Sequence, residues 1–416
     1  MDAHFVSARI AELRADLVGA AQALVRAASP DSLDTAAVAG IAEALIQQQI
    51  PHVRISRYSP LPGLVNVVAT VSSGRPGRRL VFNGHLDTYP LCAELPWTLD
   101  PLSGALTADN RIHGRGVCDM KGGIAACLVA VRVLAENRDR WAGDLSITLA
   151  GDEETMGTHG SQWLLDNVPE ARGDAMVCPD VGSPDVVRFG EKGLCWFEIA
   201  AAGTAAHGAH VHKGVNAVDR LRQALDAIKG LETMPIRPAP AEIDRAIEDA
   251  RPISEALSGL GESETLRRVT VNIGLISGGT LRNLVPASAH AEGDIRLPIG
   301  VTVADVRSYI EKHVASIEGI SVKIVRAYEP SYTPPSHELV QTAIQASISV
   351  LNRPVVANMR VGASDTRLYR PAGVPSVVVG LTPNGMGAEN EYVEVGELEQ
   401  LSQILALIAY KFLTEK

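Results

Sequence analysis

Aromatic side chains are scarce in this sequence, at 4% of its residues, so nothing in it suggests a pocket built on ring stacking. Basic residues are outnumbered, 38 Lys and Arg against 48 Asp and Glu, and the net charge of -10 lacks the positive surface that phosphate backbones require; nucleic acid is not an expected partner. No apolar run approaches the ~18 residues of a membrane span, so no membrane partner is expected either. The opening stretch, MDAHFVSARIAELRADL, carries charges throughout and has no apolar core of signal-peptide type. The cysteines Cys92, Cys118, Cys127, Cys178 and Cys195 are odd in number and show no C-x-x-C spacing. They point to neither a disulfide framework nor a thiolate metal site, and a reducing cytoplasm is the expected setting.

What is present is the composition of a soluble globular protein: 416 residues, 46% hydrophobic and 21% charged, enough for roughly two to three domains. Apolar residues at helical spacing predict a helix from Phe5 to Leu24 and another from Thr35 to Ile50. Strands are expected at 53–57, 64–71 and 79–83, the last two joined through a GRPG hairpin turn at 74–77. Helix 124–134, strand 145–150, helix 160–167 and strand 175–178 then alternate, which is the pattern of a doubly wound α/β sheet. From Gly193 the texture changes to a βαββα order closed by a strand at 322–327, suiting a small antiparallel α+β (ferredoxin-like) sheet. The Pro- and charge-rich stretch 232–264 reads as a surface excursion. From Ser336 the α/β alternation resumes. The expectation is therefore a discontinuous larger domain, residues 1–192 and 331–416, interrupted by a smaller domain at 193–330.

The residues that carry chemistry gather at the ends of these elements. VFNGHLDTY places His85 and Asp87 after an apolar run; alternate strand residues share a face, so Asp87 could accept the second ring N–H of His85 and set its tautomer. For H-x-D by itself, a capped strand end with a surface histidine is the commoner reading. GRGVCDMKGG surrounds Asp119 with glycines that permit close backbone approach; an aspartate N-cap on a tight turn would read the same way. LSITLAGDEETMG delivers Asp152, Glu153 and Glu154 from a buried strand, so that one carboxylate can bind metal while its neighbour serves as base. Asp180 ends another apolar run. Together, imidazole and carboxylates at 85, 119, 154 and 180 would close a divalent metal site. His207, His210 and His212 cluster in AAHGAHVHKG, and Asn283 and Arg296 follow in LRNLVPAS and GDIRLPIG.

Taken in order, HLD at 85–87, GRGVCDMKGG at 114–123, GDEE at 151–154, AAHGAH at 205–210, GGTLRNLVP at 278–286, DIRLPIG at 294–300 and GASDTR at 362–367 resemble the M20 metallopeptidase family. This is the group of acetylornithine deacetylase, succinyl-diaminopimelate desuccinylase, aminoacylase and the glutamate carboxypeptidases. The resemblance implies a hydrolase that cleaves the amide bond of N-acyl amino acids or small peptides. It implies one or two zinc ions per chain, with Co2+ or Mn2+ as substitutes. His85, Asp119 and Asp180 would hold one ion, Asp119 bridging to a second held also by Glu154. Asp87 would orient His85, Glu153 would act as general base, and His207 would reach across a homodimer to the partner's oxyanion. Asn283, Arg296 and Gly362 would contact substrate. The inserted domain would be the lid and dimerisation domain, and the Asp119–Met120 peptide would be cis.

One departure matters. The family's C-terminal histidine ligand falls here near Gly387, in NGMGAENEYV, and no histidine follows His337. The second metal then loses a ligand, takes one from elsewhere such as Glu389, or is absent. Alternatives are accordingly a one-metal or asymmetric-site amidohydrolase of altered substrate range, or a catalytically silent ligand-binding relative. Asp180 also replaces the glutamate common in the desuccinylase branch.

Overall fold

The computed structural model describes residues 1–92 and 94–414. A nine-stranded mixed sheet forms its larger layer. Its centre is parallel: the strand Arg79–His85 lies between Asp144–Ala150 and Ala175–Cys178, and Ser376–Val378 continues the parallel set. These strands are buried along nearly their whole length, which is why their sequences read as continuous apolar runs rather than alternating ones. The helix Gly122–Glu136, buried on almost every face, packs against the closing helix Val395–Thr414. Among the described residues no helix is long and apolar enough to cross a membrane.

A second core belongs to a four-stranded antiparallel sheet, in the order Thr270–Gly278, Ser288–Leu297, Gly193–Ala202, Ile320–Tyr328. The amphipathic helices Ala217–Lys229 and Val303–His313 cover one of its faces. Asn216 caps the first through the amides of Val218 and Asp219, and a Thr302–Asp305 capping box starts the second. This is the βαββα pattern expected from the sequence.

Three expectations need correction. The first helix is two, Ala3–Glu12 and Arg14–Arg26, joined at Leu13. The GRPG turn does not make a hairpin: Leu64–Ser72 pairs with Val53–Leu61 and with Asp144–Ala150, while Arg79–His85 lies beyond Asp144–Ala150. Closeness in sequence favoured a local pairing, but inserting the strand Asp144–Ala150 between the two buries both its faces from Leu145 to Ala150. The stretch read as a surface excursion forms the helices Ala241–Ser258 and Glu262–Arg267. Ile243, Ile247 and Leu266 join the core of the large sheet rather than that of the small one. Its polar residues are one face of an amphipathic helix, and the apolar ones recur at a spacing that the Pro and charge content masked.

Candidate metal centre and active site

The central parallel strands end level with one another. His85 closes its strand opposite Ala150, so Asp152, Glu153 and Glu154 leave the sheet beside it, and Asp180 follows Cys178 two residues on. Asp119 comes from a tight turn, Val117–Lys121, that leads into Gly122–Glu136; its peptide bond to Met120 is cis. Two glycines let these segments meet. A Cβ on Gly123 would stand 1.9 Å from the carbonyl oxygen of Pro179, and one on Gly380 would stand 1.5 Å from that of Asp180. Any side chain at either place would push the carboxylates apart.

The result is a cluster in which ligand atoms of His85, Asp119 and Asp180 lie within 4.8 Å of one another. His85 Nε2 is 3.0 Å from Asp119 Oδ1. His85 Nδ1 is 2.9 Å from the backbone carbonyl of Asp87, an acceptor only, so Nδ1 carries the proton and Nε2 is the coordinating nitrogen. The Asp87 carboxylate is farther, at 3.5 Å. It accepts instead from the amides of Glu153 and Glu154, at 3.1 and 3.0 Å. Asp87 therefore orients His85 mainly through its carbonyl and uses its side chain to fix the acidic turn.

Glu154 does not join the three-residue cluster. It lines, with Asp119, Arg115, Glu391, Tyr89 and Gly387, an adjoining cavity of about 380 Å3, and its buried Oε1 has no hydrogen-bond partner. Burial and the charge of Asp119 push its pKa up to about 9. Burial, offset in part by Arg360 and reinforced by Asp119, pushes Asp180 up to about 7. For His85, burial disfavours the charged ring, but its bonds to Asp119 and Asp87 outweigh it and raise the pKa well above the ordinary value. Like charges crowded in a dry site, with an orphaned carboxylate oxygen, are the electrostatic complement of a divalent cation.

Three cations and one acid escaped the reading of the sequence. Arg367 Nη1 donates to Glu153 Oε1 at 2.7 Å, and Arg360 Nη1 donates to Asp180 Oδ2 at 3.0 Å. Glu391, rather than Glu389, lines the metal-side cavity. It is held by Arg115 Nη1 at 2.8 Å and by the Cys118 amide at 3.0 Å. Arg367 lies in the GASDTR motif, a signal that was visible; Arg360, in a strand without any motif, gave none. Buried Glu191 accepts from the Ser364 amide, Thr366 Oγ1 and Arg370 Nη1, which locks the segment that carries Arg367.

The residues of the smaller sheet are not brought to this cluster within one chain. His207 is exposed, and its Nδ1 accepts from the Ala209 amide. Leu284 faces it across a short antiparallel pairing, and the backbone carbonyl of the adjacent Asn283 accepts from the Gly208 amide at 2.7 Å. His210 and His212 form a ring-to-ring series with His207. Arg296 Nε donates to Asp294 at 2.7 Å, leaving a buried Nη1 without a partner. Gly362 lines a separate cavity with Arg360.

A buried imidazole–carboxylate cluster at the carboxyl edge of a mixed α/β sheet is the site of a metal-dependent enzyme. A profile of peptidase family M20/M25/M40 matches residues 81–411, and the chain belongs to that family. A succinyl-diaminopimelate desuccinylase of Cereibacter sphaeroides is 29% identical over 368 residues, covering 85% of this chain and 88% of that protein. Another, from Methylorubrum populi, is 27% identical over 411 residues, covering 94% and 97%. Among solved structures, the M20 family metallo-carboxypeptidase Sso-CP2 of Sulfolobus solfataricus superposes with a TM-score of 0.79 at 18% identity, over 95% of this chain and 99% of that one. Human carnosine dipeptidase 1 does so with a TM-score of 0.78 at 15% identity, over 99% and 98%. These likenesses show the same mixed α/β fold.

Proposed function

We propose that the protein hydrolyses the amide bond of an N-acyl amino acid or small peptide, with Glu153 as general base. The observation that carries this reading is the position of Glu153. It stands next to Glu154 at the edge of the His85–Asp119–Asp180 cluster, its backbone pinned by Asp87 and its carboxylate by Arg367. His85, Asp119 and Asp180 would hold a divalent cation, zinc with Co2+ or Mn2+ as substitutes, and Asp119 and Glu154 a second one where it binds; the metal would supply Lewis acidity towards the scissile carbonyl and the attacking water. Glu153 takes the proton of the attacking water and returns it to the leaving nitrogen. Asp87 keeps the His85 tautomer and the acidic turn in place. The desuccinylase relatives support an N-acyl substrate. In Glu153→Ala, metal content measured by plasma spectrometry should stay near that of the parent while turnover of N-acyl amino acids and dipeptides is lost. Near-normal turnover would reject the assignment.

The site also belongs, in this proposal, to a homodimer in a cytoplasmic setting. Leu275 and Ile276, 61% and 66% exposed on the edge strand of the small sheet, offer an apolar edge to a second copy. His207, Asn283 and Arg296, distant from the metal residues of their own chain, would then serve the site of that copy, with His207 donating to the oxyanion.

A second reading is favoured by Gly387. Among the described residues that line the cavity on the Glu154 side of Asp119, Gly387 included, none is a histidine. This supports an asymmetric centre, with one ion tightly held and the other weak or absent. Two tightly bound ions per chain on metal analysis would exclude it.

A further inference from the structure

The chain passes between the two sheets twice, and the two passages run side by side. Lys192 separates the strand Val186–Glu191 of the large sheet from Gly193–Ala202 of the small one. On the return, Tyr328 ends a small-sheet strand opposite Leu194, and Ser331 already pairs with Glu191 in the large sheet. A Cβ on Gly193 would stand 2.6 Å from both the Tyr328 carbonyl oxygen and the Pro330 nitrogen, so the passages touch there. The change of core falls within one peptide: Ala327 packs against the small core and Tyr328 against the large one.

From this hinge Tyr328 reaches the acidic turn by two contacts. Its Oη donates to the Met156 carbonyl at 3.2 Å, across 172 positions of sequence, and accepts from Arg326 Nη1 at 3.4 Å. Its ring faces Arg367, whose guanidinium carbon lies 5.4 Å from the ring centroid, within the range of a cation–π contact. Met156 closes the turn Glu153–Thr155, its amide donating to the Glu153 carbonyl at 2.7 Å. Its φ of 83° is left-handed, a conformation that a residue with a side chain keeps only where its surroundings hold it. The bond from Tyr328 is part of that hold. Arg367 in turn grips the Glu153 carboxylate. Backbone and side chain of Glu153 are thus each held by a group that Tyr328 touches.

We propose that Tyr328 is a positioning residue that sets the aim of Glu153 from the hinge between the two sheets, acting through the Met156 carbonyl and the face of Arg367. The proposal rests on the hydrolase reading for the role of Glu153. The seating of the small sheet fixes Tyr328, Tyr328 fixes the turn and the guanidinium, and these fix the carboxylate. A shift of the small sheet therefore reaches the base without any contact to the metal residues.

Two substitutions separate the contacts. Tyr328→Phe keeps the ring against Arg367 and removes only the hydroxyl, whereas Tyr328→Leu removes both. In the metal-loaded protein acting on N-acyl amino acids, kcat should fall about 10-fold in Tyr328→Phe and further in Tyr328→Leu, with KM and metal content near those of the parent. Hydrogen exchange followed by mass spectrometry needs no turnover. The amides of Thr155, Met156 and Gly157 donate to the carbonyls of Asp152 and Glu153. In Tyr328→Phe they should exchange at least about 10-fold faster, while those of the buried strand Ala175–Cys178 keep the parent rate. Unchanged exchange in the turn, equal acceleration in turn and strand, or a kinetic loss confined to KM overturns the proposal. Acceleration confined to the turn in a protein that hydrolyses no amide would uphold the tie from hinge to Glu153 and reject the hydrolase reading; turnover with kcat and exchange unchanged in both variants would do the opposite.

Discussion

Arg367 Nη1 donates to Glu153 Oε1 over 2.7 Å, between side chains that are only 2% and 13% exposed. The guanidinium is wedged between two acids, with Asp365 Oδ1 at 3.5 Å from its Nη2. It therefore both aims the proposed base and neutralises its surroundings. Removing it in Arg367→Met should lower kcat about 100-fold with little change in KM, since a misaimed base costs the chemical step and not the ground-state complex. Stability should fall by about 3 kcal/mol or more, because buried acids lose their counter-charge. Arg367→Lys should recover part of kcat. Steady-state kinetics below the unfolding midpoint, with denaturant titration alongside, check both effects; an unchanged kcat would show that Arg367 is structural only.

Metal removal should make stability depend on pH. In the metal-free fold, burial raises Asp180 from 3.8 to about 7 and Glu154 from 4.5 to about 9. An acid whose folded pKa is raised holds more protons folded than unfolded, so stability falls as pH rises through the interval between the two values. His85, raised against its burial by Asp119 and Asp87, acts in the same direction above its unfolded pKa. The chelated protein should thus lose melting temperature steadily from about pH 5 to pH 8. Zinc should restore it most at the upper end, because binding needs the deprotonated ligands. Thermal scans with and without chelator provide the measurement, and parallel pH profiles would refute it.

Gly387 has φ of 73°, so a histidine there meets a backbone strain of about 1–2 kcal/mol but finds open space towards Asp119 and Glu154. Gly387→His should raise the number of tightly held ions per chain towards two. Calorimetric titration with zinc would show a second tight step that the parent lacks.

Charges on the exposed edge strand should dissociate the proposed dimer. Leu275→Asp with Ile276→Asp places two carboxylates on an edge that the proposed dimer would bury, and sedimentation should report a monomer with far lower turnover, because His207 then lacks a partner site. A monomeric parent would remove the reason for the trans role of His207.

Much of the site is legible in the amino-acid sequence. His85, Asp119, Glu154 and Asp180 stand out because buried parallel strands have continuous apolar sequences, and an acid or imidazole at their end interrupts the run. The βαββα texture after Gly193 is similarly local, set by alternation and caps. The stretch 232–264 is not legible in the same way, because a third of its residues are charged and its apolar stripe, through Ile243 and Ile247, is recognisable only once the sheet it covers is known.

What the sequence by itself determined, then, is that His85, Asp119 and Asp180 stand at strand and turn ends as candidate ligands, and the broad alternation of elements, both written in short-range patterns of burial and charge. The tertiary structure alone decided which cation serves which acid. Arg367 lies 214 positions from Glu153 and Arg360 lies 180 from Asp180, and no local periodicity encodes such pairs. They exist because parallel strands from distant parts of the chain end at one edge, where buried carboxylates must find a counter-charge from whichever segment the fold brings there.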